Sequence, residues 1–186
     1  MPKKDNVAIE TLYKRFFRGE KEAVAELAQK YRQGLVLFVN GYVHSLDEAE
    51  DLASDAFAVL LVKRPKIRDT SKFKTYLFSV AKHLALSRLR KRKKERKLER
   101  DAPTSSDDPE RLLIEDERRK ALVAAIAKLP TEYRETLLLR YFEELTTEEI
   151  AKVLHKNKKQ VYNLLQRAKT ALKTILTEEG IAYETD

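Results

Sequence analysis

Residues 147–166 read Thr147-Glu-Glu-Ile-Ala-Lys-Val-Leu-His155-Lys-Asn-Lys-Lys-Gln-Val161-Tyr-Asn-Leu-Leu-Gln166, and the spacing of their apolar side chains decides the fold. Ile150, Ala151 and Leu154 recur at helical intervals in one segment, and Val161, Leu164 and Leu165 in a second, so each segment presents one inward stripe. His155, Lys156 and Asn157 lie between them. Two helices joined by so short a turn cross steeply, and the small Ala151 permits the close approach on which Val161, ten residues on, seats the second helix. Thr146 or Thr147 caps the first helix, Glu148 and Glu149 suit its positive end, and Asn157 caps the second. The turn residue needs left-handed backbone, where glycine is usual; His155 is tolerated there at a cost of about 1 kcal/mol. The spacing predicts a helix-turn-helix.

The same period extends outward in both directions. A helix is expected through Leu112, Leu122, Ile126 and Leu129, another from Pro130 through Leu137, Leu138 and Tyr141, and then a shorter pair that holds the motif. On the N-terminal side, Leu12, Phe16, Ala23, Leu27, Tyr31, Leu35 and Val39 form one stripe and Leu52, Ala56, Val59 and Leu60 another, which predicts helices at about 6–18, 20–44 and 47–63. Ser45 or Asp47 caps the third of these, and Pro65 ends it. Residues 63–72 read as a loop, and a fourth helix starts near Lys72 with Phe73, Leu77, Val80, Ala81, Leu84 and Leu89 on one side. With only 4 Gly and 5 Pro in 186 residues and no strand-like alternation, the fold class is all-α. From Asp101 to Asp108 no residue can pack a core, which marks a flexible linker between two small domains.

Composition removes several classes of function. No apolar run is longer than the seven residues of Ala56 to Val62, far short of a membrane span, so no membrane insertion is expected; a signal peptide is not apparent either, and the location expected is the cytoplasm. The absence of cysteine excludes disulfides, thiol nucleophiles and thiolate metal sites. Three scattered histidines, His44, His83 and His155, make no familiar zinc centre, so no metal, cofactor or catalytic residue is assigned.

Charge supplies the positive signal. Residues 63–100 carry a net +13, the following 101–117 a net −6, and 1–62 only −2. A block that basic, interleaved with Phe73, Tyr76 and Phe78, calls for a polyanion; a membrane surface would want a pure apolar face near an anchor. From His155 to Thr177 there is no acid. Lys159, Gln160, Asn163 and Arg167 lie outward at helical spacing, able to meet base edges in a major groove, while Lys156, Lys158 and Lys169 suit phosphates.

Nearly the whole chain resembles the extracytoplasmic-function (ECF) class of bacterial sigma factors, in the sigma-70 family. The resemblance rests on Gly19-Glu-Lys-Glu-Ala-Val-Ala-Glu-Leu-Ala-Gln-Lys-Tyr31, on Asp47-Glu-Ala-Glu-Asp-Leu-Ala-Ser-Asp-Ala-Phe57, on the ordered series Pro65, Arg68, Ser71, Phe73, Thr75, Leu77, Ala81, Leu84 to Leu86 and Leu89, and on Leu129-Pro-Thr-Glu-Tyr-Arg-Glu-Thr-Leu-Leu-Leu-Arg-Tyr141 followed by Glu148-Glu-Ile-Ala-Lys-Val-Leu154. It implies a region-2-like four-helix domain at 1–97, a flexible acidic linker at 98–117 and a region-4-like helix-turn-helix domain at 118–180. It also implies that Glu48, Asp51 and Asp55 bind core RNA polymerase at its β′ clamp, with further contact to the β flap. Lys66, Arg68, Lys72, Phe73, Lys74, Tyr76, Lys82, His83, Ser87, Arg88 and Arg90 would serve the minus-ten element. Lys156, Lys158, Lys159, Gln160, Asn163, Arg167 and Lys169 would serve the minus-thirty-five element. Promoter DNA and an anti-sigma factor are the other partners it implies.

Other readings stay open on the residues alone. Phe73 and Tyr76 fit a hydrophobic core as well as a base-stacking role, and acids such as Glu48 fit any helix start. A free-standing helix-turn-helix regulator or a degenerate polymerase-binding relative would share most features; an enzyme built on Glu148 and Glu149 is disfavoured because adjacent helical residues diverge by about 100°. Ser54, Tyr76, His83, Ser87, His155 and Leu164 depart from the family pattern, which points to unusual base preferences.

Overall fold

A computed structural model describes residues 11–65, 70–98 and 116–181 as helices and short connections. The first domain contains α1 (11–17), α2 (Lys21–Val43), α3 (Leu46–Lys63) and α4 (Thr70–Leu98). Ser45 caps α3 by accepting the Glu48 backbone N–H at 3.4 Å. The helix ends at Arg64 in left-handed backbone (φ 42°) ahead of Pro65, a residue that disfavours helix at the position before it. Gly19 (φ 78°) makes the turn between α1 and α2. At 1.5 Å per residue the 29-residue α4 is about 43 Å long.

Phe73, on the first turns of α4, is fully buried among Tyr13, Phe16, Phe17 and Tyr31, with ring centroids 4.5, 5.4, 6.1 and 5.9 Å away. The Tyr13 and Tyr31 hydroxyls share a hydrogen bond of 2.7 Å beside it. Leu27, Leu35, Phe38, Leu60, Leu77 and Phe78, each at most 1% exposed, complete the core. The side of α4 opposite this core carries the charge.

The second domain contains α5 (Glu117–Ala127), α6 (Thr131–Leu137), α7 (Thr147–Leu154) and α8 (Lys158–Glu178). Two expectations are corrected. The helix expected to run through Tyr141 opens into a π-helical turn at Leu138–Phe142, and the wider turn leaves Tyr141 half-exposed. The final helix is not short: α8 runs for 21 residues because Ala168, Ala171, Leu172, Ile175 and Leu176 continue its stripe onto the core around α5 and α6. The linker expected over 98–117 falls, apart from its ends, outside the described residues.

The two domains pack on one another, α4 against α7 and α2 against α6 and the π turn. Leu37 of α2 is buried among Val123, Ile126, Leu129, Leu137 and Leu138, while Leu139, Leu145 and Ile150 join the core of the first domain. Gly34 and Gly41 flank Leu37 on the same face of α2. A Cβ on Gly34 would overlap the Glu143 carboxylate, and one on Gly41 would lie 3.4 Å from Arg134 Cδ.

Candidate nucleic-acid and polymerase-binding surfaces

The helix-turn-helix is held by its own caps. Thr146 Oγ1 accepts the Glu149 N–H at 3.3 Å, and Glu149 Oε2 accepts the Thr146 N–H at 2.7 Å. His155 is left-handed (φ 54°) as its position requires. Asn157 and Gln160 repeat the reciprocal arrangement on α8, at 2.8 and 2.9 Å. Removing the hydroxyl tests the first cap: Thr146→Ala should lower stability by about 1 kcal/mol in thermal unfolding, and an unchanged midpoint would discount the capping box.

On α8, Lys159, Asn163 and Arg167 are exposed at intervals of four and so share a face. Gln160 is partly committed: its side-chain oxygen holds the Asn157 N–H, which leaves the amide nitrogen to face a base. Leu164 does not turn inward as expected. It is half-buried and lines a shallow groove with Lys156, Gln160, Asn163 and Arg167, because Val161, Leu165 and Ala168 already fill the inner stripe. Lys156 pairs with Glu132 at 2.9 Å, Lys158 pairs with Glu148, and Lys169 lies over the Tyr141 ring, 5.5 Å from its centroid. Tyr162, 58% exposed beside Asn163, is an aromatic candidate that the polar residues alone do not indicate. Its place one residue after Val161, about 100° from the inner stripe, is the signal that finds it.

On α4 the candidate residues divide three ways. Phe73 is a core residue and not a base-stacking one, because its ring has no exposed face; Tyr76 is half-buried at the edge of the same core. Lys72, His83, Ser87 and Arg90 are exposed and Arg88 half-buried, and Ser87 and Arg90 line an open basic groove with Lys91, Lys93, Lys94 and Lys97. Lys66 and Arg68 lie outside the described residues.

Lys74 and Lys82 turn to the second domain. Lys74 Nζ donates to the Glu143 backbone carbonyl at 2.8 Å, and Lys82 Nζ meets Glu135 Oε2 at 3.1 Å, with side chains only 13% and 5% exposed. Burial pushes the Glu135 carboxyl up to about 8 and the Lys82 amine down to about 8, each disfavouring its own charge. Burial also raises Glu143 to about 7, with Lys74 and Arg119 opposing the shift.

On α3, Asp51 and Asp55 are exposed one turn apart on a common face. Glu48 is drawn away from that face: it pairs with Arg92 of α4, whose guanidinium also donates to the Val43 carbonyl at 2.9 Å. Among the described residues no helix is long and apolar enough to cross a membrane.

The described residues thus carry an open basic groove on α4, an acidic face on α3 and a capped helix-turn-helix in the second domain, the equipment of a transcription protein. The profile described as "Sigma-70 region 2" matches residues 27–95, and "Sigma-70, region 4" matches residues 119–172. The RNA polymerase sigma-H factor of Pseudomonas aeruginosa is 30% identical over 176 residues, covering 87% of this chain and 90% of that protein. The ECF RNA polymerase sigma factor SigW of Bacillus subtilis is 26% identical over 175 residues, covering 87% and 92%. The fold is shared with the sigma factor RpoE of Bartonella quintana, solved with the anti-sigma factor NepR, at a TM-score of 0.64 and 21% identity over 82% of this chain and 97% of that one. The chain belongs to the sigma-70 family, as an ECF RNA polymerase sigma factor.

Proposed function

We propose that this sigma factor binds core RNA polymerase through the Asp51 and Asp55 face of α3, meets the minus-ten element with the exposed face of α4, and reads the minus-thirty-five element with α8. The region-2 unit spans 1–97 and the region-4 unit 118–180, with 98–117 as their linker. The protein makes and breaks no bonds itself; chemistry belongs to the polymerase, in the cytoplasm. The solved RpoE neighbour carries an anti-sigma factor, and the reading extends to an inhibitor of that kind here.

The observation that carries this reading is the coexistence on one chain of an exposed acidic helix face and two separate basic ones. Base-edge contacts discriminate between sequences and phosphate contacts do not. Alanine at Asn163 or Arg167 should therefore cost about 1–3 kcal/mol on the preferred promoter and little on scrambled duplex, measured by binding and by run-off transcription with core polymerase. Equal weakening on both DNAs would show that α8 holds backbone only.

A further inference from the structure

Of the large apolar side chains of α8, Tyr162 is the one left mostly in water, at 58% exposure. Among the described residues its ring meets no other ring and its hydroxyl makes no hydrogen bond. Asn157 caps α8 and the helix begins at Lys158, so Tyr162 is the fifth helical residue, within the N-terminal part that a helix-turn-helix lays in the major groove. The buried stripe of Val161, Leu165 and Ala168 fixes which way the helix faces. At about 100° per residue, Tyr162 stands about 60° from Lys159 and about 40° from Gln166, both exposed, so the ring shares its side of the helix with a cation and an amide. Lys158, one turn earlier, and Lys169, two turns later, are exposed on that side as well.

The polar groups around it have ready matches in duplex DNA. Ammonium groups meet phosphates, and an amide meets the donors and acceptors of a base edge. The ring calls for something else. Base edges in the major groove offer one apolar group, the 5-methyl of thymine. We propose that Tyr162 is a specificity-determining residue of the minus-thirty-five contact, its ring packing on the methyl group of one thymine. This inference deepens the reading of α8 as the minus-thirty-five reader and rests on it. Discrimination by such a contact is set by the apolar area removed from water, so it requires the ring and not the hydroxyl. A tyrosine that donated to a phosphate would require the hydroxyl and would not distinguish one base from another.

The test uses the full-length protein bound to core RNA polymerase, with Tyr162→Phe and Tyr162→Ala beside wild type and circular dichroism to report that the helices remain. Each holoenzyme selects duplexes from a library randomised across the minus-thirty-five region. Wild type and Tyr162→Phe should both select thymine at one common position, while Tyr162→Ala loses the preference there and keeps it elsewhere. Deoxyuridine in place of that thymine removes the methyl group alone. It should weaken binding by wild type and Tyr162→Phe about fourfold, the equivalent of about 0.8 kcal/mol for one buried methyl-sized group, and by Tyr162→Ala less than about twofold. A Phe variant that loses as much as the Ala variant would assign the hydroxyl to the backbone and overturn the proposal. So would a thymine preference that survives in Tyr162→Ala, or a selected sequence with no position that responds to deoxyuridine. A wild-type holoenzyme that selects no sequence at all would count against the reading of α8 itself and remove this inference with it, whereas a clear consensus indifferent to Tyr162 would leave that reading standing and sink only the thymine contact.

Discussion

Lysine at both Asp51 and Asp55 will cost at least a hundredfold in affinity for core RNA polymerase. Asp51 and Asp55 are exposed, one turn apart on α3, and the structure gives neither an ion-pair partner within the described residues. Such a face makes no ion pair within the described residues and is available to a basic surface on another protein. Reversal places like charges together at two adjacent positions, and like-charge juxtaposition at an interface costs several kcal/mol. The measurement is capture of core enzyme at physiological salt, with the helical circular dichroism signal as a control. Full capture by the double variant would remove α3 from the polymerase contact. Glu48 is a poor position for the same test, because its carboxylate ties α3 to α4 through Arg92, and changing it would mix stability with binding.

Phe73→Ala will have the largest effect on the fold itself. The ring is fully buried against four others, so truncation removes its transfer energy and leaves a cavity, about 3–5 kcal/mol in total. Against a typical domain stability of about 5–15 kcal/mol that is a large share, and the melting temperature should fall on the order of 10 °C. A base-stacking Phe73 would behave oppositely, keeping the melting temperature while promoter opening failed. Thermal unfolding alone decides between them.

Most of the helical framework was legible because the apolar period is long and regular, and the caps Ser45, Thr146 and Asn157 stand at its breaks. The left-handed turn at His155 was legible from its place in the motif. The π turn at Leu138–Phe142 was not, since a single widened turn leaves no mark on a stripe read at 3.6 residues per turn. Leu164 was misread because an apolar residue next to Leu165 matches the stripe whether it points fully inward or to its margin. The positions of Lys74, Lys82 and Glu48 depended on partners 44 to 69 residues away along the chain, which local spacing cannot reveal. The glycines of α2 were the available clue: two helix-weakening residues seven apart imply something lying against that face.

The seating of Leu37 among residues 123–138 has a consequence for biosynthesis. All helices of the first domain are made by Leu98, while the oxygen that receives Lys74 belongs to Glu143. Domains emerge and fold N-terminal first, at about 5–20 residues per second, so a window of roughly two to nine seconds separates the two events. During that window the nascent first domain leaves Leu37 uncovered and Lys74 and Lys82 without their second-domain partners. A translating ribosome therefore presents, for a few seconds per chain, an apolar face of α2 that the finished molecule covers.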